Sequence, residues 1–451
     1  MQLMWFRKDL RLEDNPALFA ACQQGPTTAV YFVTPEQWRQ HHLAPIQADF
    51  IFRRLAILTE ELAQRGIQLL VEQVDSFSDI EPKLRQLCQM YRVERITANA
   101  EIEVNEVKRD EKLIANGLPL RLFHDTCVLT AGSVATKDGG MYKVFSAFRN
   151  NWLQQVRQLE LRPLPAPNAV AGAITASQPE AFNYPTKDSS AWSVETETIY
   201  RQLNDFLDSG ILHYHNQRDI PAIAGTSQMS VYLALGVVSV KSCVHQVLMR
   251  YPYALDDKSS GPFCWLNELA WREFYRHWLQ LKPDLCKGVN FQELAAGIVW
   301  QQDEVGLQAW RAGRTGYPLV DAAMKQLVQT GWMHNRLRMV TASFLTKHLL
   351  INWRLGEQFF MQHLIDGDLA ANNGGWQWAA STGCDAQPYF RIFNPTTQSE
   401  KFDPQGHFIR KYLPETAVFD NKTIHLPKNE IVDHKAARVR ALDRYSVLKK
   451  G

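Results

Sequence analysis

The feature that most constrains this chain is a regular alternation across its first 125 residues. Short, nearly continuous apolar or β-branched runs fall at Leu3–Phe6, Ala29–Val33, Gln68–Val74, Arg95–Ala98 and Leu120–Phe123. Between them lie stretches of helical periodicity: Phe50, Leu55, Leu58 and Leu62 ending at Gly66, then Pro82–Tyr91, then Asn105–Ala115 with Gly117 beyond. Strands separated by helices of that length pair in parallel through crossovers. Runs without polar alternation suit a sheet covered on both faces. The spacing predicts an N-terminal α/β domain with a five-stranded, parallel, doubly wound sheet, over residues 1–128.

The character changes after that. Leu161-Arg162-Pro163-Leu164-Pro165-Ala166-Pro167 opens a stretch rich in Pro, Ala, Ser and Thr that includes Pro179 and Pro185. Proline fixes φ and withholds a donor, so residues 129–197 read as a long connector. From 198 to 451 the pattern is helical, with candidates at Ile199–Leu207, Val237–Met249, Leu266–Leu281, Tyr317–Gln329, Leu337–Leu350 and Gly356–Leu364. This predicts a larger all-α C-terminal domain.

Several function classes are excluded by what the chain lacks. No apolar run approaches the ~20 residues that span a bilayer, and the N-terminus has no secretory pattern. Seven cysteines without a C-x-x-C pair read as reduced thiols, with no metal site expected. These features predict a soluble, cytoplasmic protein. No glycine-rich dinucleotide or P-loop signature follows the first strand, and no H-E-x-x-H or G-x-S-x-G occurs. Charge is uneven: residues 1–199 carry 21 Lys+Arg against 24 Asp+Glu, residues 200–451 carry 28 against 23. A polyanion would therefore meet the C-terminal half.

The informative strings lie in that half. Nine of the 13 tryptophans (265, 271, 278, 300, 310, 332, 353, 376 and 378) fall between residues 265 and 378. Any one of them alone reads as core. In Trp265–Phe274, Glu268 and Arg272 stand at i and i+4, as do Asn267 and Trp271, so polar and aromatic groups share a face. In isolation, Glu268 and Arg272 read by default as a surface i,i+4 ion pair. Asp366–Trp378 surrounds aromatic residues with acids, asparagines and glycines, a composition suited to a flat, polar-edged ligand or to a surface turn. Gly225–Ser230 offers hydroxyls ahead of a helix, as a phosphate site or an ordinary cap.

Trp5-Phe6-Arg7-Lys8-Asp9-Leu10-Arg11, Gly225–Ser230, Trp265–Tyr275, Thr315–Asp321, Gly331–Met339, Asp366–Trp378 and Phe390–Thr397, in that order, resemble the DNA photolyase and cryptochrome family over essentially the whole chain. The likeness is greatest to bacterial class I cyclobutane pyrimidine dimer photolyases of the folate-antenna type. The resemblance implies that the helical domain binds FAD through Tyr214, Thr226, Ser227, Gln228, Met229, Ser230, Trp265, Arg272, Arg338, Asp366, Gly367 and Asp368, with Arg338 pairing Asp366 and Asn372 beside flavin N5. An amide at Asn372 hydrogen-bonds N5 in either protonation state, where an acid would repel reduced flavin. Trp376, Trp353 and Trp300 match the family's electron relay. Glu268, Trp271, Asn335, Met339 and Trp378 match contacts to the flipped dimer, with Glu268 at its polar edge, and Arg218, Arg336, Gln398 and Lys401 match phosphate contacts. His41, Asn105, Glu106, Cys286 and Lys287 match residues around a 5,10-methenyltetrahydrofolate antenna.

The function implied is that of a deoxyribodipyrimidine photo-lyase, a carbon–carbon lyase. It would be a monomer that uses reduced FAD and blue light to split cyclobutane dimers in DNA. Asn335 and Met339 stand where (6-4) enzymes carry histidines, which favours cyclobutane dimers. The alternative is a cryptochrome-like blue-light photoreceptor without repair. Against it, the chain ends soon after the basic helix expected at 435–450, with no signalling extension, and Asn372 fits repair.

Overall fold

The structure, a computed structural model, describes residues 1–169 and 174–450, Lys450 by its backbone alone. Residues 170–173 of the expected connector, and Gly451 at the end of the expected helical domain, lie outside the described residues. The chain divides into two compact units. The first joins Met1–Leu212, Ser227–Pro283 and Ile365–Gly367; the second joins His213–Thr226, Asp284–Leu364 and Asp368–Gly451.

The first unit is built on the expected sheet. Its strands are β1 (Gln2–Phe6), β2 (Thr27–Val33), β3 (Leu69–Gln73), β4 (Arg95–Asn99) and β5 (Leu120–Phe123). All pairs are parallel, in the order β3-β2-β1-β4-β5. Burial follows position. The central β1 is buried at every residue, whereas the edge strand β5 is only partly covered. One face holds a core of Leu3, Trp5, Val30, Phe32, Ile96 and Ala98 with Leu84, Leu87 and Leu113 from the crossover helices.

Trp5 lies within that core against two guanidinium groups. Arg7 sits 3.9 Å and Arg109 4.7 Å from its ring centroid. The two cations are compensated by Asp110, which accepts from Arg7 at 2.6 and 2.8 Å and from Arg109 at 2.9 Å, and by Glu101, which accepts from Arg109 at 3.0 Å. Buried charges persist only when paired and hydrogen-bonded in this way.

Residues 129–197 do not form an uninterrupted connector. Helix Phe145–Val156 lies inside that span, with Phe145, Phe148, Trp152, Leu153 and Val156 buried. Their three- and four-residue spacing gives one apolar stripe, which outweighs the proline-rich composition further along. The helix packs on Gly261–Leu281, the longest helix of this unit. That helix begins where no side chain fits, because a Cβ on Gly261 would lie 1.8 Å from the carbonyl oxygen of Ile211. Ser260 caps it by accepting from the Phe263 N–H at 3.2 Å.

The second unit is helical. One apolar core gathers Trp310, Tyr317, Leu337, Phe344, Trp353, Phe360 and Trp376, with Trp300 and Trp378 packed partly buried against it. The helix expected over 337–350 runs regularly from Asn335 to Ser343 and then widens into a π-type turn, Phe344–His348. The span read as suited to a flat ligand or to a surface turn, 366–378, is mostly helix, Leu369–Ala379, capped by Asp368 Oδ1 accepting from the Ala371 N–H at 2.9 Å. No helix among the described residues is long and apolar enough to cross a membrane.

Lys347 is buried in this unit and donates to the Arg391 carbonyl at 3.1 Å. Desolvation pulls its pKa down to about 7. Between pH 7 and the ordinary lysine range the unfolded chain holds a proton that the folded chain does not, so stability rises with pH across that window. Lys347→Met is expected to abolish this rise and to be more stable than the parent at pH 7, the gain shrinking towards pH 10. Denaturant midpoints at pH 7, 8.5 and 10 check it.

Candidate active site

In the first unit, the segment Ser227–Ser230 leads into the five-residue helix Ser230–Ala234. Gln228 is exposed and holds a left-handed backbone, φ 57°. A non-glycine residue pays about 1–2 kcal/mol for that conformation, and such strain collects where backbone groups must face a ligand. Ser227 is fixed on both sides. Its Oγ accepts from Trp265 Nε1 at 3.2 Å, and its carbonyl accepts from Gln202 Nε2 at 3.1 Å.

Trp265 and Arg272 stand on helix Gly261–Leu281. The Arg272 guanidinium donates to the carbonyls of Thr126 at 2.7 Å and Leu233 at 3.3 Å, which fixes a cation beside the short helix. Glu268 and Trp271 lie on the same helix and are half-buried. The hydroxyls of Ser227 and Ser230 and the strained backbone at Gln228 are groups of the kind that hold a phosphate, while the Arg272 guanidinium is directed to backbone carbonyls. Asp366 and Gly367 belong to this unit too. Gln47, buried on helix Pro45–Ala63, donates through Nε2 to the carbonyls of Ile365 at 2.9 Å and Gly367 at 3.0 Å, bracketing Asp366. Sequence reasoning missed Gln47, because a lone glutamine on an apolar helix carries no local signal.

In the second unit, Asn372 is nearly buried and its Nδ2 donates to the Glu357 carbonyl at 3.0 Å. Burial pushes the Glu357 carboxyl up to about 7, with the Asn372 amide and the Arg354 charge pulling against the shift. Glu357 was also missed. Its signal was available, an acid four residues after Trp353 on an otherwise apolar stripe. Tyr214 and Asp368 are buried, Thr226 and Arg338 are partly exposed, and Arg338 Nε donates to the Met333 carbonyl at 2.8 Å.

Trp353 and Trp376 are buried in one core with Trp300 packed at its edge. Trp353 Nε1 donates to Asn290 Oδ1 at 3.0 Å, while Trp376 Nε1 is buried without a hydrogen-bond partner. Trp310 makes a T-shaped contact with Trp376 at 6.0 Å. Space for Trp376 depends on Gly356, where a Cβ would lie 2.1 Å from the indole Cη2.

Two family models cover most of the sequence: residues 2–168 match DNA photolyase, and residues 265–447 match the FAD binding domain of DNA photolyase. The deoxyribodipyrimidine photo-lyase of Vibrio cholerae is 47% identical over 471 residues, covering 100% of both chains. That of Escherichia coli K12 is also 47% identical, covering 100% of this chain and 99% of its own. The chain belongs to the DNA photolyase family. Among solved structures, a class III photolyase from Agrobacterium tumefaciens aligns with TM-score 0.81 and 33% identity over 100% of this chain and 98% of that one. A Synechocystis cryptochrome aligns with TM-score 0.85 and 27% identity over 98% of each.

Other photolyase positions singled out in the sequence fall as follows. In the first unit, His41, Asn105 and Glu106 come together although 64 residues separate His41 from Asn105. His41 Nε2 lies 3.1 Å from Asn105 Nδ2, and His41 Nδ1 lies 3.6 Å from Glu106 Oε1. Glu106 is buried, its Oε2 has no hydrogen-bond partner, and desolvation with the neighbouring acids Glu103 and Glu101 pushes it up to about 7. An orphaned carboxyl oxygen there fits a ligand that donates hydrogen bonds. Cys286 and Lys287 sit in the second unit on the short turn Pro283–Lys287.

Asn335 is exposed at the start of its helix, with Met339 one turn further. Trp378 and Arg218 are half-buried, and Gln398 stands on helix Pro395–Phe402 with Lys401 exposed beyond it. Arg336, expected as a phosphate contact, is ion-paired to Asp219 at 2.9 Å and lies 4.4 Å over the Phe402 ring. The Asp219 carboxylate partly offsets the charge Arg336 would offer a phosphate.

Gly356→Ala is expected to force Trp376 aside, at an overpacking cost of about 1–3 kcal/mol. Thermal unfolding should show the loss, and near-ultraviolet circular dichroism the altered indole environment. Unchanged values of both would contradict the close packing.

Proposed function

We propose that this chain is a DNA-repair lyase that splits cyclobutane pyrimidine dimers in light, with FAD as its cofactor. The observation that carries the reading is 47% identity to two deoxyribodipyrimidine photo-lyases over 100% of this chain and 99–100% of theirs. It is supported by the match of residues 265–447 to the photolyase FAD-binding domain.

When bound, FAD supplies the photoexcited electron. The protein's own groups do the rest. Ser227, Gln228, Met229 and Ser230, with Tyr214, Thr226, Trp265 and Arg272, are the proposed anchors of the phosphates and ribityl chain. Asp366, Gly367, Asp368 and Arg338 are the proposed surroundings of the ring systems, and Asn372 offers an uncharged amide that serves as donor or acceptor. Trp376, Trp353 and Trp300 are proposed to carry an electron inward from the surface, since indole is oxidisable and packs in an apolar core.

Trp271 and Trp378 present apolar ring surface to the flipped pyrimidines, Glu268 a carboxyl to their polar edge, and Asn335 and Met339 further contacts. Arg218, Arg336, Lys401 and Gln398 are assigned to flanking phosphates. His41, Asn105, Glu106, Cys286 and Lys287 are proposed for a methenyltetrahydrofolate antenna. The protein is proposed to act as a cytoplasmic monomer, with residues 1–128 as antenna-binding domain and 198–451 as catalytic domain.

Irradiating reduced holoenzyme with dimer-containing DNA should restore the pyrimidines, and dimers that persist under blue light would refute the reading. The similarity to a cryptochrome makes binding without repair the competing outcome. Glu268→Ala is expected to lower repair per absorbed photon more than it lowers affinity for dimer DNA; equal losses would contradict its role. Glu106→Ala should remove a near-ultraviolet folate shoulder from the absorption spectrum while the flavin bands remain.

A further inference from the structure

Trp271 is seated on a second aromatic ring that the dimer reading does not include. Phe145, from the first turn of helix Phe145–Val156, stacks on the indole with centroids 3.6 Å apart and planes 10° from parallel. Phe145 is itself 5% exposed and makes a T-shaped contact with Phe274 at 5.7 Å. Phe274 is fully buried, 5.1 Å from Phe148. One turn along, the Arg149 guanidinium lies 5.9 Å from the Phe145 ring and donates to Asn267 Oδ1 at 3.2 Å.

Face-to-face rings are the less favoured aromatic geometry, because their electron-rich faces repel. A neighbouring cation draws on such a face and offsets that repulsion. The stack is therefore held by core packing through Phe274, with the Arg149 guanidinium nearby. Trp271 keeps part of its surface in solvent, and a ring at 3.6 Å closes the face that Phe145 covers.

We propose that Phe145 is a positioning residue: by stacking on Trp271, which Phe274 and Tyr275 also touch at 5.6 Å, it fixes the plane in which the indole meets a flipped pyrimidine. This rests on the proposed dimer contact of Trp271. A preset plane spares the ordering cost of a freely rotating side chain when the lesion enters. The effect falls on recognition of the dimer; electron transfer to a dimer already bound is unaffected.

The test uses flavin-loaded protein and duplex oligonucleotides with and without one cyclobutane dimer, titrated in the dark. Phe145→Leu should weaken dimer binding by about threefold to tenfold, the range of a stacked aromatic pair. Affinity for undamaged duplex and repair per bound dimer in a single flash should stay unchanged. Phe145→Tyr should restore dimer affinity. In a Trp271→Ala background, Phe145→Leu should have no further effect.

Dimer affinity retained in Phe145→Leu while Trp271→Ala has lost it overturns the inference and leaves the dimer reading standing. So does a loss that recurs undiminished in the Trp271→Ala background. Full dimer affinity in Trp271→Ala overturns the dimer contact and the inference with it. Where Phe145→Leu does not accumulate with flavin, Phe145→Met keeps the apolar volume and is judged by the same outcomes.

Discussion

Helix Gly261–Leu281 carries Trp265, Glu268, Trp271 and Arg272, and its position depends on one buried carboxylate. Glu273 is fully buried and accepts hydrogen bonds from the backbone N–H of Val128, from that of Leu129 at 3.4 Å, and from Trp152 Nε1 at 2.6 Å. A single side chain thus ties the helix to the loop after β5 and to helix Phe145–Val156. Desolvation pushes its pKa up to about 7, and the three donors pull against that shift. Next to it, His277 Nδ1 accepts from the Gly132 N–H at 3.0 Å. Cys127, Glu273 and His277 bring potential metal-ligand atoms within 4.8 Å. The carboxylate oxygens and Nδ1 are already taken by N–H donors, so the cluster acts as a hydrogen-bonded clamp. A loop bound at three backbone amides anchors the helix that bears the functional side chains.

The sheet was legible because its central strands are covered on both faces, and a doubly covered strand must be apolar along its whole length. All five runs became strands, with ends displaced by a residue or two. Helix Phe145–Val156 escaped notice for a different reason. Its apolar stripe of Phe145, Phe148, Trp152 and Val156 was present, but the prolines and serines further along set the reading of the whole span. Composition averaged over a long segment hides a short element within it.

Site residues divide along similar lines. Glu268, Trp271 and Arg272 share one helix, and local spacing already placed them together. His41 and Glu106 lie far apart in sequence and near each other in space, a proximity that no local pattern predicts. Gln47 and Glu357 act on backbone carbonyls or buried amides, and such partners leave no trace in residue spacing. The left-handed backbone at Gln228 is likewise invisible, since neither glycine nor asparagine marks it.

Gly356 is where an absence becomes a functional part. The hydrogen that stands in place of a side chain there leaves the space occupied by the rim of the Trp376 indole. The tilt of one redox-capable ring is thereby encoded on a neighbouring helix, at a position with no aromatic chemistry of its own. A single methyl group at that position would tune the ring's orientation with every tryptophan intact.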